Sequence, residues 1–431
     1  MSASPSAVSL SAAADSGLFA WWRTADQRAR HAFVAASLGW MLDSFDVMLY
    51  SLVLASLIQD PTLQLSTAVA GQLGALTLLS AAAGGVVFGV LADRIGRKAA
   101  LMWAVAIYSV FTAACGLVQN VTQLAIFRIL LGFGMGGEWA TGVALVSETF
   151  PAKHRGKALA FVQSSWAIGY GLAAAVNLVV MPIWGWRGVF FVGVLPALFT
   201  LWIRRKVEEP EMWRRTSDES RGRIGELFTA GRASTTVFII LMNACCLFGW
   251  WGLNLWVPAY LNLPPERGGI GLSSSAMSWF VIAMQVGMWL GYVSFGYIAD
   301  AIGRKRAYVL FVLMASLLLP RYGNISAPTA LLFLGPAVAF FGTGYYSGFG
   351  AVIAELYPTS VRATAAGVGY NVGRIASAAA PFVVGSMAGT RGFGVAFAIT
   401  GFAFFLAARA GRGVPETGTK DLAACPPVCH R

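Results

Sequence analysis

The stretch "GVLADRIGRK", Gly89 to Lys98, places four charged side chains between two long apolar runs. The stretch "GYIADAIGRK", Gly296 to Lys305, repeats the frame Gly-x-x-x-Asp-x-x-Gly-Arg-Lys 207 positions later. At the same offset, "ETFPAKHR" at Glu148–Arg155 returns as "ELYPTSVR" at Glu355–Arg362. Two matches in one register indicate that the chain contains two copies of one unit.

The composition is that of a membrane protein. Hydrophobic residues make up 57% of the 431 residues and charged residues 12%, about half the charged fraction of a typical soluble domain. Continuous apolar runs recur along the chain, and each is long enough to cross a hydrocarbon core of roughly 30 Å as a helix. Because the runs do not alternate in polarity, a membrane barrel is not expected. We predict an all-α polytopic membrane protein.

The hydropathy pattern predicts twelve transmembrane helices, of which the ninth looks short. The approximate spans are 31–58, 68–92, 99–118, 122–146, 158–180, 188–204, 235–260, 274–299, 307–320, 329–352, 364–387 and 392–410. The tails and the loops on their side then carry 25 of the 31 Lys and Arg residues, and the opposite loops carry four. The positive-inside rule therefore places both termini in the cytoplasm. The Lys and Arg residues that give the chain its net charge of +12 then lie mostly at the cytoplasmic face of the membrane. We therefore expect no nucleic-acid partner.

Six spans in each copy predict two parallel six-helix bundles, with an axis along the membrane normal and a substrate path between them. The predicted units are an N-terminal cytoplasmic tail (1–30) without the features of a signal peptide, a first bundle (31–204), a cytoplasmic linker (205–234), a second bundle (235–410) and a C-terminal cytoplasmic tail (411–431). Cys425, Cys429 and His430 in the last tail are too weak a cluster to predict a metal site.

Acidic side chains break the symmetry between the two copies. Asp43 and Asp46 lie three residues apart on one face of the first span, in "LDSFD", whereas the counterpart of Asp43 is Trp250. Charged groups at the bilayer centre cost at least ~2.5 kcal/mol each, and tend to be functional. Two neighbouring carboxylates also repel, which favours protonation of one of them. We predict that Asp43, Asp46, Glu138 and Arg128 couple transport to protons; the alternative is that they only bind neighbouring helices.

Arg374 lies at the midpoint of the eleventh span, in "GVGYNVGRIASAAAP", and its counterpart is Ala167. A buried guanidinium requires an anion, and it binds a carboxylate through two parallel hydrogen bonds. That anion is either Asp43 or Asp46, or the carboxylate of a substrate, and we favour the substrate. The residues that would complete a substrate pocket are Asn371, Tyr346, Tyr345, Gln163, Trp166 and Asn254.

Six-plus-six spans with the repeated charged motif resemble the major facilitator superfamily, from residue 31 to about 410. The resemblance implies alternating access by rocking of the two halves. It also implies that Asp93 and Asp300 face helix N-termini of the opposite half, and that the basic residues bind carboxylates and lipid phosphates; the alternative is that these residues are only topology signals. The gating residues so implied are Gly89, Asp93, Arg94, Gly96, Arg97, Glu148, Arg155, Gly296, Asp300, Gly303, Arg304, Glu355 and Arg362.

The stretches "LDSFD", "GGEW", "E-x-x-P-x-x-x-R-G", "WRGVFFVG" and "VEEPEMW" are similar to those of organic-acid:proton symporters, the aromatic-acid, sialate and lactate/pyruvate permeases. The aromatic-acid branch has Gly between the two acids of the first span, where this chain has Ser44 and Phe45, and the departure favours the sialate/lactate branch. The resemblance implies a monomeric inner-membrane importer of an organic carboxylate. Its coupling ion would be the proton, and no other cofactor is expected.

Three rival functions remain open. A proton/organic-cation antiporter would use the acids to bind a cation, but Arg374 would repel that cation. A non-transporting nutrient sensor usually carries long cytoplasmic extensions, and the predicted tails are short. An enzyme is not expected, because the only histidines, His31, His154 and His430, lie at or beyond the ends of the predicted spans. The fold alone does not decide among these functions.

Overall fold

The computed structural model describes residues 20–23, 25–150, 152–206, 227–228, 233–357 and 359–416. In this part of the chain the regular structure is helical. The helices of the N-terminal half are α1 (Gln27–Gln59), α2 (Thr67–Ile95), α3 (Arg97–Ala114), α4 (Val121–Thr149), α5 (Ala152–Val192) and α6 (Leu195–Lys206). Those of the C-terminal half are α7 (Ala233–Asn262), α8 (Ser274–Ile302), α9 (Arg304–Asn324), α10 (Pro328–Thr343), α11 (Tyr346–Leu356), α12 (Thr359–Ser377), α13 (Ala379–Arg391) and α14 (Phe393–Arg412).

Ten helical stretches among the described residues are long and apolar enough to cross a membrane. A further apolar helix, Val121–Gly136, is shorter. The chain is therefore a multi-pass α-helical membrane protein. The ten stretches agree in position with the predicted spans, but one of them, Lys157–Phe199, covers both the fifth and the sixth.

Two boundaries differ from the sequence-based expectation. The ninth helix was expected to be short, over 307–320, but α9 runs through Pro320 to Asn324. Proline removes one helical N–H, the partner of the Ser316 carbonyl, and a helix can bend past it. The predicted gap between the fifth and sixth spans is narrower, because α5 continues to Val192 with only Gly185 (φ 63°, ψ −168°) outside helical geometry.

The duplication is visible in the backbone. Gly96 (φ 104°) and Gly303 (φ 96°) stand 207 positions apart and begin α3 and α9. Gly185 (φ 63°) and Gly392 (φ 82°) also stand 207 apart, and Gly392 precedes α14. Positive φ angles favour glycine over other residues. The repeated motif thus keeps its glycine because the chain turns there in the same way in both halves.

Small residues bring α2 and α4 into backbone contact. A Cβ at Gly136 of α4 would overlap the Ala81 carbonyl of α2, and a Cβ at Gly84 would overlap the backbone of Phe133. Such contacts between small residues are typical of packed helices in membranes. The close approach matters for the site because Glu138 lies two residues beyond Gly136 on α4.

Hydrogen bonds join the two halves near the end of the bundle where α1 finishes. The Ser51 hydroxyl of α1 donates to the Asn254 carbonyl of α7 at 2.9 Å. The Tyr170 hydroxyl of α5 donates to the same carbonyl at 3.0 Å, and the Asn177 amide donates to the Ser278 hydroxyl of α8 at 2.9 Å. We call this surface, formed by α1 and α5 against α7 and α8, the seam between the halves.

Asp60, which caps the C-terminal end of α1, fixes the loop to α2. Its carboxylate accepts hydrogen bonds from Thr62 and from the Trp186 indole (2.9 Å), and it lies 3.7 Å from the Arg187 guanidinium. Partial burial alone would raise the pKa of Asp60, but these hydrogen bonds and the Arg187 charge outweigh it and lower that pKa. Trp186 follows Gly185 directly, so the non-helical turn at Gly185 is what presents the indole to Asp60.

We expect Gly136→Ala to lower the melting temperature of the purified protein in detergent. The added methyl group would overlap backbone atoms of α2, which cannot move aside as a side chain can, and overpacking of this kind costs about 1–3 kcal/mol. Gly342→Ala is the matched control, because a Cβ there meets no described atom within 4 Å. Equal melting temperatures for the two variants would contradict the close contact of α2 and α4.

Candidate functional site

Four ionisable side chains from three helices form one buried group, which we call the charge cluster: Asp43 and Asp46 of α1, Glu138 of α4 and Arg374 of α12. Each is 1% exposed. The Asp43 carboxyl interacts electrostatically with Arg374 and with Asp46, and Glu138 interacts with both Asp43 and Arg374. The structure therefore brings together residues that are up to 331 positions apart in sequence.

Local packing positions the acids. A Cβ at Gly39, one turn before Asp43 on α1, would overlap the Glu138 carboxylate, so glycine leaves the space in which Glu138 approaches α1. Ser44, next to Asp43, donates from its hydroxyl to the Trp166 carbonyl of α5 at 2.8 Å. That bond joins α1 to α5 at the position next to Asp43.

Hydroxyl groups of α3 lie near Asp46, although neither Asp46 carboxyl oxygen has a hydrogen-bond partner among the described residues. The hydroxyl groups of Ser109 and Thr112, both on α3, face the Asp46 carboxyl. The Tyr108 side chain of α3 is also within electrostatic reach of Asp46, Asp43 and Glu138. Ser109 and Thr112 share a helical face at a spacing of three, and this spacing of small polar residues is the signal by which the sequence could have indicated them.

The charge cluster has more acids than bases. Both oxygens of Glu138, Oδ2 of Asp43 and Nε and Nη2 of Arg374 are buried and make no hydrogen bond to any residue that the structure describes. If all four groups were ionised, the three carboxylates would exceed the single guanidinium by two negative charges. Buried charge of one sign is costly, and protons bound to the acids would remove the excess.

Arg374 lies near the end of a helix and beside a tyrosine. Its guanidinium carbon lies 5.1 Å from the centroid of the Tyr370 ring, one turn earlier on α12. Three residues later the helix ends at Ser377, whose hydroxyl donates to the Arg374 carbonyl at 2.9 Å. Pro381 in the next helix has no N–H for the Ser377 carbonyl. The interruption is confined to Ala378, which keeps helical backbone angles (φ −61°, ψ −22°), and Val368–Arg391 is long and apolar enough to cross a membrane as one stretch.

Asn371, predicted to line the pocket with Arg374, faces the N-terminal half. A Cβ at Gly85 of α2 would lie 3.4 Å from its Oδ1 atom. The α12 helix therefore touches α2 across the interface between the halves, close to the α2–α4 contact that carries Glu138.

Arg128 lies apart from the charge cluster. It is 1% exposed, and its guanidinium carbon lies 4.0 Å from the centroid of the Tyr50 ring. Its charge also acts on the Cys115 thiol, which is in turn within reach of Asp46. The face of the Tyr50 ring thus stabilises this buried cation.

The remaining predicted pocket residues divide into two groups. Tyr345 packs inside the C-terminal half, with its ring 5.7 Å from that of Tyr308, whereas Tyr346 is within reach of Tyr292 and Tyr370. The Gln163 side chain faces the Tyr292 hydroxyl. Tyr346 and Gln163 are thus linked to Arg374 by Tyr370 and Tyr292. The Tyr345 ring lies 4.6 Å from that of Tyr346, so Tyr345 adjoins this group as well as Tyr308.

Trp166 and Asn254 lie on the seam. The Trp166 ring lies 4.6 Å from that of Trp40 and 5.4 Å from that of Trp250. The Asn254 carbonyl receives the two seam hydrogen bonds already described, and its amide donates to the Trp250 carbonyl at 3.0 Å. Trp250, the counterpart of Asp43 at the offset of 207, was not predicted to lie on this seam, and neither was its neighbour Trp251.

Most predicted gating residues lie outside the part of the chain whose side chains are described. These are Gly89, Asp93, Arg94, Arg97, Glu148, Arg155, Asp300, Glu355 and Arg362. Of the others, Gly96 and Gly303 make the turns at the two motifs. Arg304 begins α9, and a Cβ at Gly296 would meet no described atom within 4 Å.

In the second motif, the described contacts are to the C-terminal segment. The Lys305 ammonium donates to the Arg412 carbonyl at 2.5 Å, and the Lys305 backbone N–H donates to the Glu416 carboxylate at 3.1 Å. The glutamate sits at the N-terminal end of α9, where an anion is favourable. The second motif therefore binds an acid of the chain's own C-terminal segment.

Comparison with known families identifies two matching models. The model described as Major Facilitator Superfamily matches residues 36–269. The model described as Sugar (and other) transporter matches residues 311–428. Together they cover both halves of the chain.

Two curated relatives match nearly the whole chain. The Sialic acid transporter NanX of Escherichia coli is 30% identical over 390 residues, covering 89% of this chain and 94% of its own. The Cis,cis-muconate transport protein of Acinetobacter baylyi is 30% identical over 387 residues, covering 87% and 91%. These relatives are transporters, in agreement with the expectation that the chain is not an enzyme.

A solved D-xylose-proton symporter has the same fold. It superposes with a TM-score of 0.75 over 91% of this chain and 99% of that chain, at 21% sequence identity. At this identity the likeness establishes the fold alone.

We expect Arg374→Ala to lower the melting temperature strongly and Asp43→Asn to restore part of the loss. Removing the guanidinium leaves buried carboxylates without an opposite charge, which costs about 3–5 kcal/mol when a buried pair is broken. Arg391→Ala, a change of the same kind at an exposed residue, is the control. An Arg374→Ala variant as stable as Arg391→Ala would show that the acids do not depend on Arg374.

Proposed function

This chain belongs to the Major Facilitator Superfamily, and on that premise we propose that it is a proton-coupled symporter of an organic carboxylate. Asp43, Asp46 and Glu138 bind the coupling protons, and Arg374 binds the substrate carboxylate. The two halves rock about the charge cluster, so that the site opens to one side of the membrane at a time.

The observation that carries the proposal is the composition of the charge cluster. Three buried carboxyl groups come from α1 and α4 in one half, and one buried guanidinium comes from α12 in the other; Asp43 and Glu138 interact with that guanidinium. A substrate anion bound to Arg374 adds negative charge, and protons on the acids offset it. Binding of the anion and of protons therefore stabilise each other, which is the thermodynamic requirement for symport.

Arg128 modulates this coupling. It is a buried cation on the Tyr50 ring, and Arg128 and Asp46 both lie within electrostatic reach of the Cys115 thiol. A nearby positive charge favours release of a proton from a carboxyl group. Arg128 would thus help Asp46 to give up its proton once the transporter has changed state.

The relatives support the substrate class. Sialic acid and cis,cis-muconate, the compounds named for the two relatives, are both carboxylates at neutral pH. Inward proton flow would offset the cost of bringing such an anion into a negative interior. Arg374 weighs against a proton/organic-cation antiporter, since a cation next to the guanidinium would be repelled. The transporter names of the relatives weigh against a non-transporting sensor.

We also propose that the protein lies in the inner membrane, crosses it twelve times and has both termini in the cytoplasm. The stretch Lys157–Phe199 has 43 residues, roughly 65 Å of helix and about twice the hydrocarbon thickness. It therefore fits two crossings that meet near Gly185. The shorter apolar helix Val121–Gly136, which continues along α4, is a further crossing, so the number of spans becomes twelve. We propose that the transporter acts as a monomer.

Asp46→Asn is expected to abolish accumulation driven by a pH gradient while leaving exchange of internal for external substrate. The amide cannot carry a proton, but the anion site at Arg374 stays intact. The measurement is uptake of sialate, cis,cis-muconate, lactate, pyruvate, benzoate and shikimate into proteoliposomes, with and without an imposed gradient.

Glu266→Gln, at an exposed position in the loop between α7 and α8, is the matched control and should accumulate substrate normally. If Asp43→Asn and Asp46→Asn both accumulate substrate as well as Glu266→Gln does, neither aspartate carries the coupling proton.

Arg374→Lys should weaken binding of the transported acid on the order of tenfold or more. Lysine keeps the charge that balances the acids but loses the second of two parallel hydrogen bonds, each worth about 1.5–3 kcal/mol to a charged group. The melting temperature should change little. Binding of the acid to purified protein, measured beside thermal melting, checks both quantities, and wild-type affinity in Arg374→Lys would refute the role of Arg374 as substrate anchor.

A further inference from the structure

Asp46 lies against α3, inside the N-terminal half. Ala35 of α1 packs in one apolar group with Tyr108 of α3. Asp46 follows Ala35 by eleven residues, about three turns of helix, so the two residues share the face of α1 that meets α3. Asp43, which interacts with residues of α4 and α12, is turned about 60° from Asp46 around the helix axis. The two aspartates of α1 therefore have different neighbours.

Two hydroxyl groups of α3, those of Ser109 and Thr112, face the Asp46 carboxyl, and both side chains are 0% exposed. The Thr112 hydroxyl donates its proton to the Tyr108 carbonyl at 2.8 Å, so toward Asp46 it can only accept a hydrogen bond. The Ser109 hydroxyl makes no hydrogen bond to any residue that the structure describes, so its proton is available to Asp46. One neighbour of this carboxyl group is thus an acceptor and the other is a donor.

An acceptor and a donor side by side suit the two protonation states of a carboxyl group. A carboxylate only accepts hydrogen bonds, whereas a protonated carboxyl group also donates one. The Ser109 hydroxyl can stabilise the ionised form of Asp46, and the Thr112 oxygen can stabilise the protonated form. A positive charge such as that of Arg374, which acts on Asp43, favours the ionised form only. Asp46 therefore has a partner for each of the two states between which a proton carrier alternates.

We propose that Ser109 and Thr112 position the coupling proton at Asp46, with Ser109 donating to the carboxylate and Thr112 accepting from the protonated carboxyl group. This inference rests on the proposed function. It places proton exchange at Asp46 inside one half, apart from the anion site at Arg374. Ser109 and Thr112 are positioning residues, so substituting them should move the pH at which Asp46 titrates.

The other ionisable groups around Asp46 do not change when a hydroxyl of α3 is removed. Those within its electrostatic reach, or within reach of its neighbours, are Asp43 of α1, Tyr108 of α3, Cys115 beyond the end of α3, Glu138 and Arg128 of α4, and Arg374 of α12. Because their charges are common to wild-type protein and variants, a difference in titration reports the missing hydroxyl group.

Infrared spectroscopy of the full-length protein in liposomes, titrated over pH without substrate, observes this proton directly. A protonated carboxyl group has a carbonyl stretching band that a carboxylate lacks, and the band lost in Asp46→Asn belongs to Asp46. We expect its midpoint to rise by about one pH unit or more in Ser109→Ala, because the ionised form loses its donor. In Thr112→Val the midpoint should fall by about half a unit or more, because the protonated form loses its acceptor.

Two further variants separate this role from packing. Thr112→Ser keeps the hydroxyl group and should titrate as wild-type protein does. Thr77→Val is the matched control, because Thr77 of α2 is 1% exposed and its hydroxyl donates to the Leu73 carbonyl at 2.9 Å, as that of Thr112 does one turn back in α3. The midpoint of the Asp46 band should not move in Thr77→Val.

Three results would overturn the inference: midpoints that move in the same direction in Ser109→Ala and Thr112→Val, midpoints in both that equal that of Thr77→Val, or no titrating band lost in Asp46→Asn. In each case the proposed function survives if a pH gradient still drives uptake that depends on Arg374, with Asp43 or Glu138 as the proton carrier. Failure of wild-type protein to accumulate any carboxylate would refute the proposed function, whereas the titration of Asp46 is measured without substrate.

Discussion

Buried charge is the constraint on which the site depends. Arg128, Arg374 and three acids are each 1% exposed in a protein whose surroundings are apolar. A charge in such a place must be met by an opposite charge, a stacked ring, a proton or a ligand. Arg128 is met by Tyr50. The acids of the charge cluster outnumber Arg374, and that imbalance makes their protonation depend on what else is bound.

The excess of acids over Arg374 lies at the interface between the two copies of the duplicated unit. The duplication keeps the turns at Gly96 and Gly303, and at Gly185 and Gly392, in register. Within the N-terminal half, contacts such as that of Gly136 with α2 hold Glu138 close to α1. Arg374 arrives from the other half, so any motion of one half against the other changes the distance between Arg374 and the acids.

Sequence alone predicted the class of fold and the main charges of the site. Continuous apolar runs predict membrane-spanning helices, and motifs repeated at an offset of 207 residues indicate duplication. Both signals can be read from the order of residues without knowledge of tertiary contacts. Asp43, Asp46, Glu138 and Arg374 stood out because charge is rare in such runs. The spacing of Asp43 and Asp46 placed them on one helical face, and either was a candidate partner of Arg374, but the approach of Glu138 to Asp43 and Arg374 follows only from the three-dimensional contacts.

The features that escaped prediction depend on helix rotation and on contacts between halves. Tyr50 below Arg128 and Trp250 beside Trp166 are common residues in apolar helices, and nothing in their spacing tells which neighbour they face. The extension of α9 past Pro320 depends on packing that outweighs a lost hydrogen bond. The gap after the fifth span shrank because a single glycine at a positive φ angle is enough to turn the chain.

Proton entry that accompanies the substrate is the most direct measure of the central claim. Proteoliposomes that enclose a pH-sensitive dye, with equal pH on both sides, are given 4-hydroxybenzoate, cis,cis-muconate or sialate, and protein-free liposomes report passive entry of each acid. We predict that at least one acid acidifies the lumen faster than in protein-free liposomes, at a rate that saturates with its concentration. Saturable uptake of an acid with no acidification beyond that of protein-free liposomes would contradict proton symport.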